Sequence, residues 1–287
     1  MLFIYKILEY NLFYCFLVIC PMPRNFFYIF ITLGFLALPA CAPRGEAESE
    51  KSRETAAATT TVAAPVADLI RQADELYRRR EDLAKLRESI AVLKRARSAD
   101  TENFETNWRL ARANYFLGRH STDEKEGDKA FADGINFARL AARLNPNKPE
   151  GHFWLGACLG GEAEKSPFTK GLTAMGEIRE AMRKVIEIQP EYEGASAYDA
   201  LAQLELKGGF AGGKAEKALE YLEKGLAIDK ANPYANLHLA EAFLALDRRA
   251  EAKKQIDVLL KMKPNPDYQP EYEDAVRQAK KLLETKF

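Results

Sequence analysis

The residues in this 287-residue chain whose types could do chemistry are few and scattered. Gly208-Gly209-Phe210-Ala211-Gly212-Gly213-Lys214-Ala215 follows the order of a phosphate-binding loop (Gly, four residues, Gly, Lys, then Ser or Thr) up to its last position. Ala215 has no hydroxyl to hold Mg²⁺, and the residues upstream have helical period where that loop needs a strand, so the string reads as a turn between helices. His120, His152 and His238 lie far apart, with no His-Glu-x-x-His or i, i+4 partner, so no metal site is expected. No serine stands in a Gly-x-Ser-x-Gly elbow, and Cys158, on an apolar helix, is expected in the core rather than as a nucleophile. Helical carboxylates such as Glu220, Glu223 and Glu251 are expected to pair with nearby lysines as solvated faces. We expect no catalytic residue, no cofactor and no metal, which leaves recognition by a surface.

Composition narrows that surface. Lys plus Arg and Asp plus Glu are both 42, so no global field favours nucleic acid, and none is expected as a partner. With 29% charged and 47% hydrophobic residues the chain has globular composition. Of the four cysteines, Cys15, Cys20 and Cys41 fall in or beside an apolar N-terminus, so with Cys158 alone in the folded part no disulfide framework or cysteine metal cluster can be built.

The N-terminus reads as an address. Residues 26–38 form an apolar run of signal-peptide length after Arg24, followed by Leu38-Pro39-Ala40-Cys41. This resembles a bacterial lipoprotein signal, in which the lipobox cysteine carries the lipid. Cys41 matches it, and residues 1–40 are then the signal. Ile19 before Cys20 is too bulky for an alternative lipobox, and Met22-Pro23-Arg24 suits a signal's start, so residues 1–21 read as a misassigned extension. A spanning helix drawn from 12–38 is interrupted by Pro21, Pro23, Arg24 and Asn25. Residues 41–65 are rich in Ala, Thr and charge without apolar period, as expected of a disordered tether. The expected location is the periplasmic face of the envelope. Ala42 is not the Asp that departs from outer-membrane sorting in the best-known pattern, which favours the outer membrane.

Residues 66–287 read as an all-α solenoid. In Asn232 to Pro264, Leu239, Ala240 and Phe243 share one helical face, Ala252, Ile256 and Leu259 share another, and Pro264 ends the unit. These are positions 7, 8, 11, 20, 24, 27 and 32 counted from residue 232, and they resemble the tetratricopeptide repeat, with Leu259 in place of its usual Ala. Small residues at 8 and 20 let antiparallel helices approach, and proline cannot continue the helix. Earlier units carry Leu201, Ala202, Ala218, Leu222 and Gly225; Leu155, Gly156, Ile178, Met182 and Val185; Leu110, Ala111, Gly134, Ala138 and Ala141; and a degenerate first unit, about 66–98, with Ser89, Leu93 and Ala96. Tyr272, Ala275, Ala279, Leu282 and Leu283 mark an amphipathic capping helix. The expected architecture is about five helix pairs plus a cap, with extra residues looping out at 120–130, 161–172 and 208–214, where a specific partner would act.

Phe153-Trp154-Leu155-Gly156-Ala157-Cys158-Leu159-Gly160, Tyr192-Glu193-Gly194-Ala195-Ser196-Ala197-Tyr198 and Gly209 to Ala218 together resemble the T component of tripartite ATP-independent periplasmic (TRAP) transporters. The resemblance implies a lipid-anchored periplasmic repeat protein that forms homo-oligomers and contacts the transporter's solute-binding protein. Alternatives of similar architecture are an envelope-assembly lipoprotein and a small-ligand carrier. In tetratricopeptide folds the first helices line the groove at positions 2, 5, 9 and 12. Mapped here, the expected partner-binding residues are Trp108, Arg112, Tyr115, Phe153, Asp199, Gln203, Tyr234 and Glu241, with Glu150 among the other lining positions. Trp108 and Phe153 could equally pack against the adjoining helix.

Overall fold

The computed structural model describes residues 66–166, 171–208 and 213–287. The expected signal, Cys41 and the tether lie outside the described residues, as does the middle of the phosphate-loop-like string. The described residues hold no strand. They form α1 (66–77), α2 (Leu83–Ala99), α3 (Phe104–His120), α4 (Glu124–Leu144), α5 (Pro149–Lys165), α6 (Leu172–Ile188), α7 (Tyr192–Lys207), α8 (Ala215–Ile228), α9 (Pro233–Ala245), α10 (Arg249–Lys261) and α11 (Gln269–Lys286), the last preceded by a 3₁₀ turn at Pro266–Tyr268. No described helix is long and apolar enough to cross a membrane. The expected five pairs and cap are α1/α2 to α9/α10 and α11.

Each pair closes where the repeat spacing placed small residues. Ala111, Ala138, Ala141, Ala202, Ala218, Ala240 and Ala252 are fully buried, with Leu93, Met182, Leu222, Ile256 and Leu259 filling the seams. A Cβ on Gly151 would lie 2.4 Å from the Ala142 backbone nitrogen, so α5 meets α4 backbone to backbone. Phe131 of α4 sits in a slot made by two glycines: a Cβ at Gly118 or Gly161 would come within 2.8 or 2.3 Å of its ring. Cys158 is buried beneath Gly134, its thiol pushed up by burial, as expected of a core residue.

Two units start with the same cap. Asn103 accepts from the Thr106 amide (2.9 Å) and Asn232 from the Ala235 amide (3.0 Å). One turn later Asn107 donates to the carbonyls of Thr101 (3.0 Å) and Asn103 (2.8 Å), and Asn236 to those of Lys230 (3.0 Å) and Asn232 (2.8 Å). Both asparagine side chains are buried, and each reaches a carbonyl ahead of the helix, that of Thr101 or Lys230, while adding a second bond to a cap carbonyl that already accepts the first helical N–H.

Of the extra residues at 120–130, 124–130 are helical rather than looped. Asp123 accepts from the Lys125 amide (2.9 Å), acidic Glu124 and Glu126 occupy the first turn, and α4 runs for 21 residues from there. The connection from α3 is three residues, and a cap followed by continued apolar period overrides the loop reading. Likewise 161–165 belong to α5, because Gly161 must pass against Phe131. Glu251 pairs with Arg248 rather than a lysine.

α7 opens on a kink. Glu193, Gly194 and Ala195 have φ of 49°, 62° and 60°, a left-handed turn that costs about 1–2 kcal/mol at each non-glycine position. The next repeat holds it. Asn232 donates to the Gly194 carbonyl (2.8 Å), the Ser196 hydroxyl donates to the Glu193 carbonyl (2.6 Å), and a Cβ at Gly194 would strike Asp229 at 2.7 Å.

Candidate partner-binding face

First helices pack on one another along the stack, α3 on α5, α5 on α7, α7 on α9 and α9 on α11, whereas second helices mainly meet the first helices of their own and adjoining units. The shorter side of a curved stack is the side whose helices touch in succession, so the first helices line its inner face.

Three polar clusters occupy that face. In the first, the Arg112 guanidinium lies 3.9 Å from the Tyr77 ring centroid and binds Asp74 (2.7 Å), which also receives Arg109 (2.9 Å). Arg80 lies 5.2 Å from the same ring, and burial pushes the Tyr77 hydroxyl up to about 12 despite both guanidiniums. In the second, Glu164 takes Arg119 and Lys207 (2.6 Å to the lysine). In the third, His238 Nδ1 meets Asp199 at 2.6 Å, Tyr234 stacks on His238 at 5.9 Å, and the Tyr234 hydroxyl donates to Asp274 (2.7 Å). Burial opposes the charged imidazole, but the Asp199 carboxylate outweighs it and the His238 pKa is raised.

The C-terminal segment crosses to the N-terminal hairpin. Arg80, 7% exposed in the α1–α2 turn, donates to the Asp267 carbonyl (2.6 Å) and pairs with Glu271 (2.9 Å). Tyr268 donates to the Glu193 carboxylate (3.0 Å) at the α7 kink. Burial, with the Glu271 charge added, raises the Glu193 carboxyl above the usual range against Tyr268, Arg112 and Arg80.

The expected anchors divide. Trp108 and Phe153 are each 8% exposed and belong to the core, Phe153 standing edge-on to Trp154 and Tyr192. Trp108 donates its indole N–H to Glu105 (2.9 Å), and Tyr115 packs on Trp154. Arg112, Asp199, Gln203, Tyr234 and half-buried Glu241 are the polar members, of which Arg112, Asp199 and Tyr234 are already engaged within the chain. Three successive inner helices carry buried polar atoms without a partner: Nε of Arg112 on α3, Oε2 of Glu150 on α5, and both amide atoms of Gln203 on α7. Among the described residues no group of His, Cys, Asp and Glu is placed to hold a metal ion. Tyr77, Arg80, Glu193, Tyr268, Glu271 and Asp274 were not among the expected residues. Glu193 had a signal in the Tyr192–Tyr198 string; the others belong to the degenerate first unit and the cap, where the repeat positions do not reach.

A tetratricopeptide repeat model matches residues 210–279. A thermophilic tetratricopeptide protein of Thermus thermophilus, TTC0263, superimposes with a TM-score of 0.54 at 19% identity, over 74% of this chain and 99% of its own. The described residues have a tetratricopeptide-type fold. PilF of Pseudomonas aeruginosa shares the fold of this repeat protein, with a TM-score of 0.53 at 13% identity over 79% of this chain and 94% of PilF. Residues 69–198 of the repeat protein match a second family model, regulator of microtubule dynamics protein 1-3. No curated protein matches it in sequence.

Proposed function

We propose that this repeat protein is a scaffold that binds a protein partner on its inner face. The observation that carries the reading is the row of buried, unpartnered atoms on α3, α5 and α7: Nε of Arg112, Oε2 of Glu150 and both amide atoms of Gln203. Leaving such groups unpaired costs about 1–3 kcal/mol each, and an extended peptide supplies donors and acceptors at the spacing of successive helices. In the fuller proposal Cys41 carries a lipid that holds the scaffold at the periplasmic face of the outer membrane, and the partner is the solute-binding protein of a TRAP-type transporter. The Cys41 lipobox and the three strings shared with T components support it. The second family model and the structural neighbours support the fold and leave the partner to experiment.

The test places a photocrosslinking residue at Arg112 or Gln203 in the full chain, in the cell that encodes it. A discrete adduct with one solute-binding protein is the expected result. An adduct with an envelope-assembly protein would replace the transporter reading, and absence of any protein adduct would refute the scaffold. Metabolic labelling with an alkyne fatty acid should mark the protein and be lost in Cys41→Ala.

A further inference from the structure

The inner face is already occupied at one end by the chain's own segment. The 3₁₀ turn Pro266–Tyr268 buries none of its residues. It is held to the inner face by polar contacts, Asp267 carbonyl and Glu271 on Arg80 and the Tyr268 hydroxyl on Glu193. The helix that follows is fixed differently, by fully buried Ala275 and Ala279 against α9 and α10. Residues 265–268 and the first turn of α11 can therefore lift away while the rest of α11 stays docked, because none of residues 265–271 is fully buried.

What lies beneath the segment is unsatisfied. The Nε atoms of Arg80 and Arg112 are buried without a partner, on guanidiniums that flank the Tyr77 ring. Glu271 reaches Arg80 through Nη2 alone. A carboxylate approaching along the Nε–Nη2 edge would make two parallel bonds where the resident one uses a single nitrogen, a stronger arrangement. Beside it, Glu193 accepts a tyrosine hydroxyl.

We infer that the site around Arg80, Arg112 and Glu193 takes an acidic partner segment with a tyrosine three residues before a carboxylate, and that Tyr268-Gln269-Pro270-Glu271 covers the site as an internal mimic of it. The inference rests on the inner-face reading above and names the chemistry of the partner. The covering segment is tethered, so the partner competes with a high local concentration and binds weakly until it is displaced. The mimic's surroundings match that role: Pro264 to Asp274 carries Asp267, Glu271, Glu273 and Asp274 with Tyr268 and Tyr272, and no basic residue.

The test measures binding of a fluorescent synthetic peptide copying Pro264 to Asp274 to the full chain. Tyr268→Ala combined with Glu271→Ala should bind it at least tenfold more tightly than the unsubstituted chain, and adding Arg80→Ala should remove that gain. A peptide with its four carboxylates converted to amides should not bind. Equal affinity with and without the covering contacts, or binding that survives Arg80→Ala or the neutral peptide, would overturn the inference. If the double variant fails to fold, hydrogen exchange on the unsubstituted chain at saturating peptide decides. Faster exchange at 265–271 with protection at 78–82 supports the inference, and an unchanged pattern defeats it. Crosslinks from Gln203 to a protein partner that persist while the peptide fails would discard the mimic and leave the scaffold standing.

Discussion

Glu193 and His238 are both raised, so both make stability fall as pH rises, in different pH windows. A carboxyl whose folded pKa lies above its unfolded value holds its proton more tightly when folded, so stability falls as pH rises from the ordinary carboxylate range through the raised value. Glu193→Gln keeps an acceptor for Tyr268 and removes the titration. Its melting temperature should exceed that of the unsubstituted chain near neutral pH, with the advantage shrinking toward about pH 4. His238 works in the same direction, in a higher window. Its raised pKa contributes stability present below the unfolded value and lost as pH rises through the folded one. Asp199→Asn should thus be most destabilising below about pH 6.5 and approach the parent only as pH rises through the raised folded value, measured by denaturant unfolding across that range. Trp108 and Phe153 were legible as inner-helix aromatics, but repeat position does not say which way a large ring leans. Both lean into the core, Phe153 against the rings of Trp154 and Tyr192 and Trp108 beneath the Arg109 and Arg112 guanidiniums.

At the scale of elements, the helices were legible wherever apolar period coincided with a cap. The repeated asparagine device was not, since Asn103 and Asn107 carry no apolar signal, yet it sets where α3 and α9 begin. Asn236→Ala removes two buried hydrogen bonds to turn carbonyls and should cost about 1–3 kcal/mol in denaturant unfolding. The α4–α5 contact is as strict. Gly151→Ala inserts a carbon against backbone that cannot rotate aside, and a loss of about 1–3 kcal/mol is expected from the same measurement. Of the residues expected as loops at 120–130 and 161–172, 124–130 and 161–165 extend α4 and α5 instead. Helix propensity and a good cap decide length there, and the extra turns lie against Phe131 and its two glycines, where they bury area.

For the molecule as a whole, curvature decides what the inner face is. Five pairs in succession bring the α1–α2 turn to the segment before α11, 187 residues away, and Arg80 joins the ends. Arg80→Ala should leave the helices intact while amides at 264–271 and 78–82 exchange faster, read by hydrogen exchange and mass spectrometry. Because the contact is largely sheltered from solvent, salt should reproduce the effect only weakly.

Repeat spacing by itself determined the class of fold, the number of helix pairs, the cap and the small residues at each seam, since these follow from local period and from side-chain size at helix crossings. It also picked out Arg112 and Gln203, because inner-helix positions recur with the repeat. The joining of the two ends, the left-handed turn that aims Glu193 inward and the covering of Arg80 were decided only by tertiary structure. Each depends on a small rotation between neighbouring pairs summed along the stack, and no residue encodes that sum locally.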